Sequence, residues 1–251
     1  MAPENTLAAF DHGLSLGADG LELDVHLSRD GHVVVHHDER LERTTNGAGP
    51  IAARSVEELA RLDAGYRFCR DGDFPFRGRG FSVPALGQVL DRYPQARIII
   101  ELKNGTEALA RATLQDVRKA DALDRVCFAS EHVSGLRVIR ALEPRAATSA
   151  AREEIRRALY RAWLGWPIGR RPFVAFQVPE VVGAIRIVSP RFVRAAHRAG
   201  LVVQVWTVDS ADDMRRLLQW GVDGIISDRP DVAVTVLQEW VERGRAPSRF
   251  P

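Results

Sequence analysis

The chain has 251 residues, 45% hydrophobic and 27% charged, with 35 basic and 33 acidic residues and a net charge of +2. This composition excludes a disordered tail, a collagen-like fibre and a disulfide scaffold, and the length suits one large α/β domain. No run approaches the roughly 20 apolar residues that a membrane span needs.

Met1–Phe10 carries neither the basic nor the apolar region of a secretory signal, and two cysteines, Cys69 and Cys127, are too few for a disulfide framework. The expected location is therefore cytoplasmic, with no stable membrane insertion. Of the basic residues only Lys103 and Lys119 are lysines. The arginines are spread along the chain among acids rather than clustered, which argues against nucleic acid as a partner.

Pro3–Thr6 followed by Leu7–Phe10 reads as a helix opening with Asn5 or Thr6 as cap, ended by Gly17. Leu21–Val25 alternates as a strand, Asp30-Gly31 is a turn, and Val33–Val35 is a short buried strand running into His36 and His37. An extended return through Leu27–Asp30 would make Val33–His37 a parallel strand; the competing arrangement is a hairpin about Asp30-Gly31. Residues 39–80 read as an irregular insertion.

Beyond it, strands and helices alternate. Helices are expected at 85–93, 106–120, 133–142, 152–164, 190–199, 211–220 and 232–243. Strands are expected at 97–102, 125–129, 146–149, 173–177, 201–208 and 224–227. Such alternation indicates βαβ units on a parallel sheet, here in one domain over 1–251. No glycine-rich phosphate loop follows a strand. The strands instead turn polar at their carboxyl ends, at Glu22 and Asp24, His37, Glu101 and Lys103, Gln177, Trp206 and Asp228. That pattern is expected of a TIM (β/α)8 barrel, whose site lies at that face.

Glu22 and Asp24 are two apart on one strand and so share a face, while Leu21, Leu23 and Val25 take the other. Glu101 and Lys103 repeat the spacing after the apolar run Ile98–Ile100. Three carboxylates at neighbouring strand ends suit a hard divalent ion, Mg²⁺ or Ca²⁺, and Lys103 adds a fixed cation. The seven histidines lack zinc-like spacing. A histidine beside such a site, His37, is the natural acid or base near neutral pH.

The runs Pro3–Phe10, Gly17–Gly47, Ile100–Lys103, Val202–Asp209 and Gly221–Pro230 resemble the bacterial glycerophosphodiester phosphodiesterases, a match extending from Pro3 to Pro230. The resemblance implies a barrel of the phosphatidylinositol-phospholipase-like type that hydrolyses glycerophosphodiesters to sn-glycerol 3-phosphate and an alcohol, a small-molecule substrate. It makes Glu22, Asp24 and Glu101 metal ligands and His37 a catalytic histidine. Lys103 becomes a catalytic and phosphate-binding residue, and Trp206 the aromatic wall of the glycerol pocket; Gln177 joins the substrate-binding candidates.

The family pattern opens with a strand ending His-Arg-Gly ahead of the residues matching Pro3–Thr6. No such tripeptide occurs in the 251 residues. The expectation is thus a barrel lacking its first strand, with that strand's catalytic histidine and arginine, and an activity in doubt for that reason. The alternatives are a catalytically impaired barrel that binds phosphodiesters, and a phosphodiesterase cleaving lysophospholipids.

Overall fold

The computed structural model describes residues 1–169 and 171–242, and the chain forms two compact units. The first holds Met1–Ser15 and Asp19–Ala146; the second holds Leu16–Ala18 and the described residues from Ala147 onward.

In the first unit, α1 (Leu7–Ser15) starts where Thr6 caps it: Thr6 Oγ1 accepts the Ala9 N–H at 3.2 Å and donates to Pro3 O at 2.7 Å. Strand β1 (Gly20–Leu27) lies between β2 (Val33–Val35) and β3 (Arg97–Leu102), and β4 (Val126–Ala129) pairs on the far side of β3. The β1–β3 and β3–β4 pairs are parallel, and their register sets Asp24 opposite Glu101. Gly20 permits this approach, since a Cβ there would sit 2.7 Å from Arg97 O. Helices α3 (Leu86–Arg92), α4 (Glu107–Lys119) and α5 (Val133–Leu142) alternate with these strands.

The expected parallel setting of Val33–His37 is wrong. β1 and β2 pair antiparallel, with Val25 opposite Val35. Ser28–His32 is too short for a crossover and closes a turn instead. Ser28 N–H donates to His32 O at 2.9 Å, Ser28 Oγ donates to Asp30 Oδ1 at 2.6 Å, and Gly31 takes φ 82°. The insertion after β2 is largely irregular, with α2 (Val56–Ala60) and a 3₁₀ turn at Ile51–Ala53. It has its own core nonetheless: Leu41, Ile51, Leu59, Ala64 and Val83 pack with Val34.

The second unit contains β5 (Ala147–Thr148), α6 (Arg152–Leu164), β6 (Ala175–Pro179), α7 (Pro190–Arg198), β9 (Val202–Trp206), α8 (Ala211–Gln219), β10 (Gly224–Ile225) and α9 (Pro230–Glu242). A short hairpin, β7 (Val181–Val182) with β8 (Ile185–Arg186), was not anticipated by the sequence reading. β9 pairs in parallel with β6 and β10. Helices pack around Phe176, Phe192, Val203, Val205 and Leu217, all buried. The last predicted helix extends one residue, Arg243, beyond the described residues.

Candidate active site

The first unit assembles four charged side chains, Glu22 and Asp24 within β1 and Glu101 and Lys103 at the carboxyl end of β3. Period-2 alternation places Glu22 and Asp24 on one face, and the parallel register brings Glu101 beside Asp24. One carboxylate oxygen from each of Glu22, Asp24 and Glu101 lies within 4.8 Å of the others. Lys103, two residues past Glu101, places Nζ 3.1 Å from Asp24 Oδ1 and 3.4 Å from Glu101 Oε1.

The electrostatics of this cluster favour a cation. Burial pushes the Glu101 carboxyl above its ordinary range, with Lys103 pulling it down and Asp24 pushing it further up. Burial alone would lower Lys103, but Asp24 and Glu101 outweigh it and hold the ammonium charged. Three carboxyl groups facing one ammonium offer convergent hard oxygen donors, which fits a divalent ion with oxygen ligands. Among the described residues this is the one group of acidic, histidine or cysteine side chains with such convergence.

Asn5 joins the candidate site, whereas the sequence offers it, with Thr6, only as one of two possible helix caps. With φ 53°, it donates through Nδ2 to Asp24 Oδ2 at 2.9 Å and accepts the Asp24 N–H on Oδ1 at 3.1 Å. Its neighbour Thr6 does the capping.

The histidines divide by environment. The β1–β2 ladder runs one step further, His36 N–H donating to Asp24 O at 2.9 Å, so His37 follows the residue opposite Asp24. His36 is buried, its Nδ1 donating to Asp38 O at 2.8 Å and its Nε2 3.0 Å from Thr44 Oγ1. His26 is buried too and donates through Nε2 to His37 O at 3.1 Å. Burial lowers the pKa of both.

His37 is half-exposed and donates through Nδ1 to Asp38 Oδ1 at 2.6 Å. That bond fixes the tautomer and leaves Nε2 for a reacting atom. Behind it, Arg43 spans Asp38 and Glu4: Nε donates to Asp38 Oδ2 at 2.6 Å, and Nη1 to Glu4 Oε2 at 2.7 Å. The Arg43 bond holds the Asp38 carboxyl far below the usual carboxylate range, with His37 adding to the effect. The adjacency of His37 and Asp38 was visible in the sequence. The Arg43–Glu4 support, 39 residues apart, was not.

Gln177 and Trp206 lie in the second unit. Trp206 ends β9 and is 39% exposed. Gln177 is buried in β6, donating through Nε2 to Gln204 Oε1 at 2.9 Å, while its own Oε1 is buried without a hydrogen-bond partner among the described residues.

Parallel strands alternating with helices define a TIM-barrel-class α/β protein, with the acidic and basic side chains gathered across β1 and β3 as its candidate active site. Residues 1–232 match the glycerophosphoryl diester phosphodiesterase family, and the chain belongs to it. A glycerophosphodiester phosphodiesterase of Caldanaerobacter subterraneus is 32% identical over 244 residues, covering 94% of this chain and 93% of that one. The crystal structure of a glycerophosphodiester phosphodiesterase from Agrobacterium tumefaciens is 30% identical, with a TM-score of 0.74 over 95% of this chain and 94% of that one. An Oleispira antarctica phosphodiesterase in complex with the product sn-glycerol-3-phosphate has a TM-score of 0.75 at 25% identity, covering 94% of this chain and 92% of that one. No helix of the described residues is long and apolar enough to cross a membrane.

Proposed function

We propose that the chain hydrolyses glycerophosphodiesters to sn-glycerol 3-phosphate and an alcohol, as one domain and with a divalent cation. Family membership supports the reaction class. The observation that carries the reading is the convergence of Glu22, Asp24 and Glu101 around Lys103. These three carboxylates would hold the ion, Mg²⁺ or Ca²⁺, which when bound neutralises phosphate oxygens as a Lewis acid.

Each remaining part falls to a side chain. Lys103, braced between Asp24 and Glu101, presents positive charge to a phosphate oxygen. The substrate's own glycerol hydroxyl attacks phosphorus as the bond to the departing alcohol breaks and that oxygen takes up a proton; water then opens the resulting cyclic phosphate to glycerol 3-phosphate, so no serine or cysteine nucleophile is needed. His37, oriented by Asp38, gives or takes a proton at Nε2 along that path. On the strength of the family resemblance Trp206 is proposed as the aromatic wall of the glycerol pocket and Gln177 as a substrate-binding residue; the Trp206 ring is partly exposed, and Gln177 Oε1 is without a hydrogen-bond partner among the described residues. The two free thiols support a reducing, cytoplasmic location.

The test is glycerol 3-phosphate release from glycerophosphocholine and glycerophosphoethanolamine, with Mg²⁺, Ca²⁺ or chelator. It is run on the 251 residues and on the same chain carrying a strand ending in His-Arg-Gly ahead of Pro3. Release that needs the cation and disappears in His37→Ala supports the reading. No release from either form overturns it.

A further inference from the structure

Helix α6 presents two unlike faces. Its inner stripe, Ala158, Leu159 and Ala162, is buried in the core of the second unit. A helix anchored this way normally shows charged and polar residues to solvent. Here the outer stripe and the residue after the cap are apolar and aromatic: Tyr160 is 61% exposed, Trp163 45%, Leu164 60% and Trp166 58%. These four large side chains fall within seven consecutive residues. Tyr160 and Trp163 stack edge-to-face with centroids 5.7 Å apart.

The local backbone holds this set in place. Gly165 ends the helix at φ 76°, its N–H donating to Ala162 O at 3.2 Å, and Trp166 N–H donates to Arg161 O at 2.8 Å. This closing turn fixes where Trp166 leaves the helix.

The charge around the patch has one sign. From Ile155 to Pro179 the sequence contains five arginines and no Asp or Glu. Arg156, Arg157 and Arg161 are exposed on the same helix. Arg191, exposed on α7, brings its guanidinium to the same end: a Cβ on Gly165 would be 3.5 Å from Arg191 Nη2. The acids of α6, Glu153 and Glu154, stand in its first turn, where Glu154 caps the Ala151 N–H at 2.8 Å.

We propose that this face docks the protein on the surface of an anionic phospholipid bilayer, with the aromatic rings at headgroup depth and the arginines on lipid phosphates. Trp and Tyr prefer that interface because their rings are apolar at one end and hydrogen-bonding at the other. Arginine stems lie along apolar surface while their heads reach anionic groups. Charge argues against a second copy as the occupant, because a two-fold contact would set the arginines against their own copies. The exposed Leu164 has no stacking role toward bases, so lipid fits the patch better than RNA. The inference rests on this face alone and is independent of the hydrolase reading.

The experiment is vesicle flotation of the full chain with phosphatidylcholine vesicles, plain or containing phosphatidylglycerol, at low and high salt. Binding is expected only with the anionic lipid, weakening as salt rises. Trp163→Ala with Trp166→Ala should lower the partition constant at least about tenfold. Arg156→Gln with Arg157→Gln should lower it by about fivefold per arginine. Unchanged circular dichroism and melting curves show that the exposed substitutions leave the fold intact. No binding to anionic vesicles, or binding that both double variants retain, overturns the proposal. So does a salt-stable dimer lost in the tryptophan variant, or binding of single-stranded RNA in place of vesicles.

Discussion

Asn5 and Asp24 are joined by two hydrogen bonds, side chain to side chain at 2.9 Å and backbone to side chain at 3.1 Å. The pair fixes the Asp24 carboxylate so that Oδ1 meets Lys103 while Oδ2 is held by an amide. Asn5→Gly tolerates the positive φ and removes both hydrogen-bonding groups without adding charge. Outer partners of metal ligands are typically worth about 10–100-fold in affinity. Calorimetric titration of Mg²⁺ or Ca²⁺ should show a loss of that size; unchanged affinity would mean that Asn5 does not orient a ligand.

Removing the ammonium separates charge on the phosphate from charge on the carboxylates. In Lys103→Met, phosphodiester turnover should fall by roughly 10²–10³, as for other lost transition-state donors. Divalent cation affinity should hold or rise, because the competing cation beside Asp24 and Glu101 is gone. If cation binding fell in parallel with turnover, Lys103 would be a structural brace rather than a catalytic group.

The pH dependence of stability should show the Asp38 network. Because Arg43 holds the folded Asp38 carboxyl below its unfolded range, the proton binds more readily to the unfolded chain. The stabilisation is therefore complete above the unfolded value, near pH 4, and drains away as pH drops further. Melting temperatures followed from pH 6 to pH 3 should drop more steeply for the native chain than for Arg43→Gln. Parallel curves would show that the ion pair contributes nothing.

Gly20→Ala tests the spacing of β1 and β3. Its new methyl would meet Arg97 O at 2.7 Å, a backbone atom that cannot swing aside. A cost of about 1–3 kcal/mol follows from forced overpacking. Denaturant unfolding should show it. A neutral substitution would show that the sheet can open without penalty.

The cysteines should differ in reactivity. Burial pushes the Cys127 thiol up to about 12, whereas Cys69 is exposed. A thiol reagent at pH 8 should modify Cys69 quickly in the folded chain and Cys127 only after unfolding. Equal rates would place Cys127 in a readily opening segment.

The sequence by itself determined the order of the main strands and helices, though not the β7–β8 hairpin or α2, because strand alternation and helical periodicity are local properties. Ile98–Ile100 reads as a buried strand and is one; Arg152–Leu164 reads as an amphipathic, arginine-rich helix and is one. Period 2 alone put Glu22 with Asp24, and Glu101 with Lys103, on common faces. Only the tertiary structure decided that the two pairs meet, since the β1–β3 register joins residues 77 positions apart, Asp24 with Glu101. It also decided between two uses of one polar stretch: Thr6 caps α1, and Asn5 is drawn away to Asp24. The direction of β2 was misread because hydrophobic alternation is the same in parallel and antiparallel strands. Loop length and the Ser28–Asp30 turn settled it. Arg43 and Glu4 carry no local signal at all, for a bidentate ion pair between distant loops exists only once both loops have folded.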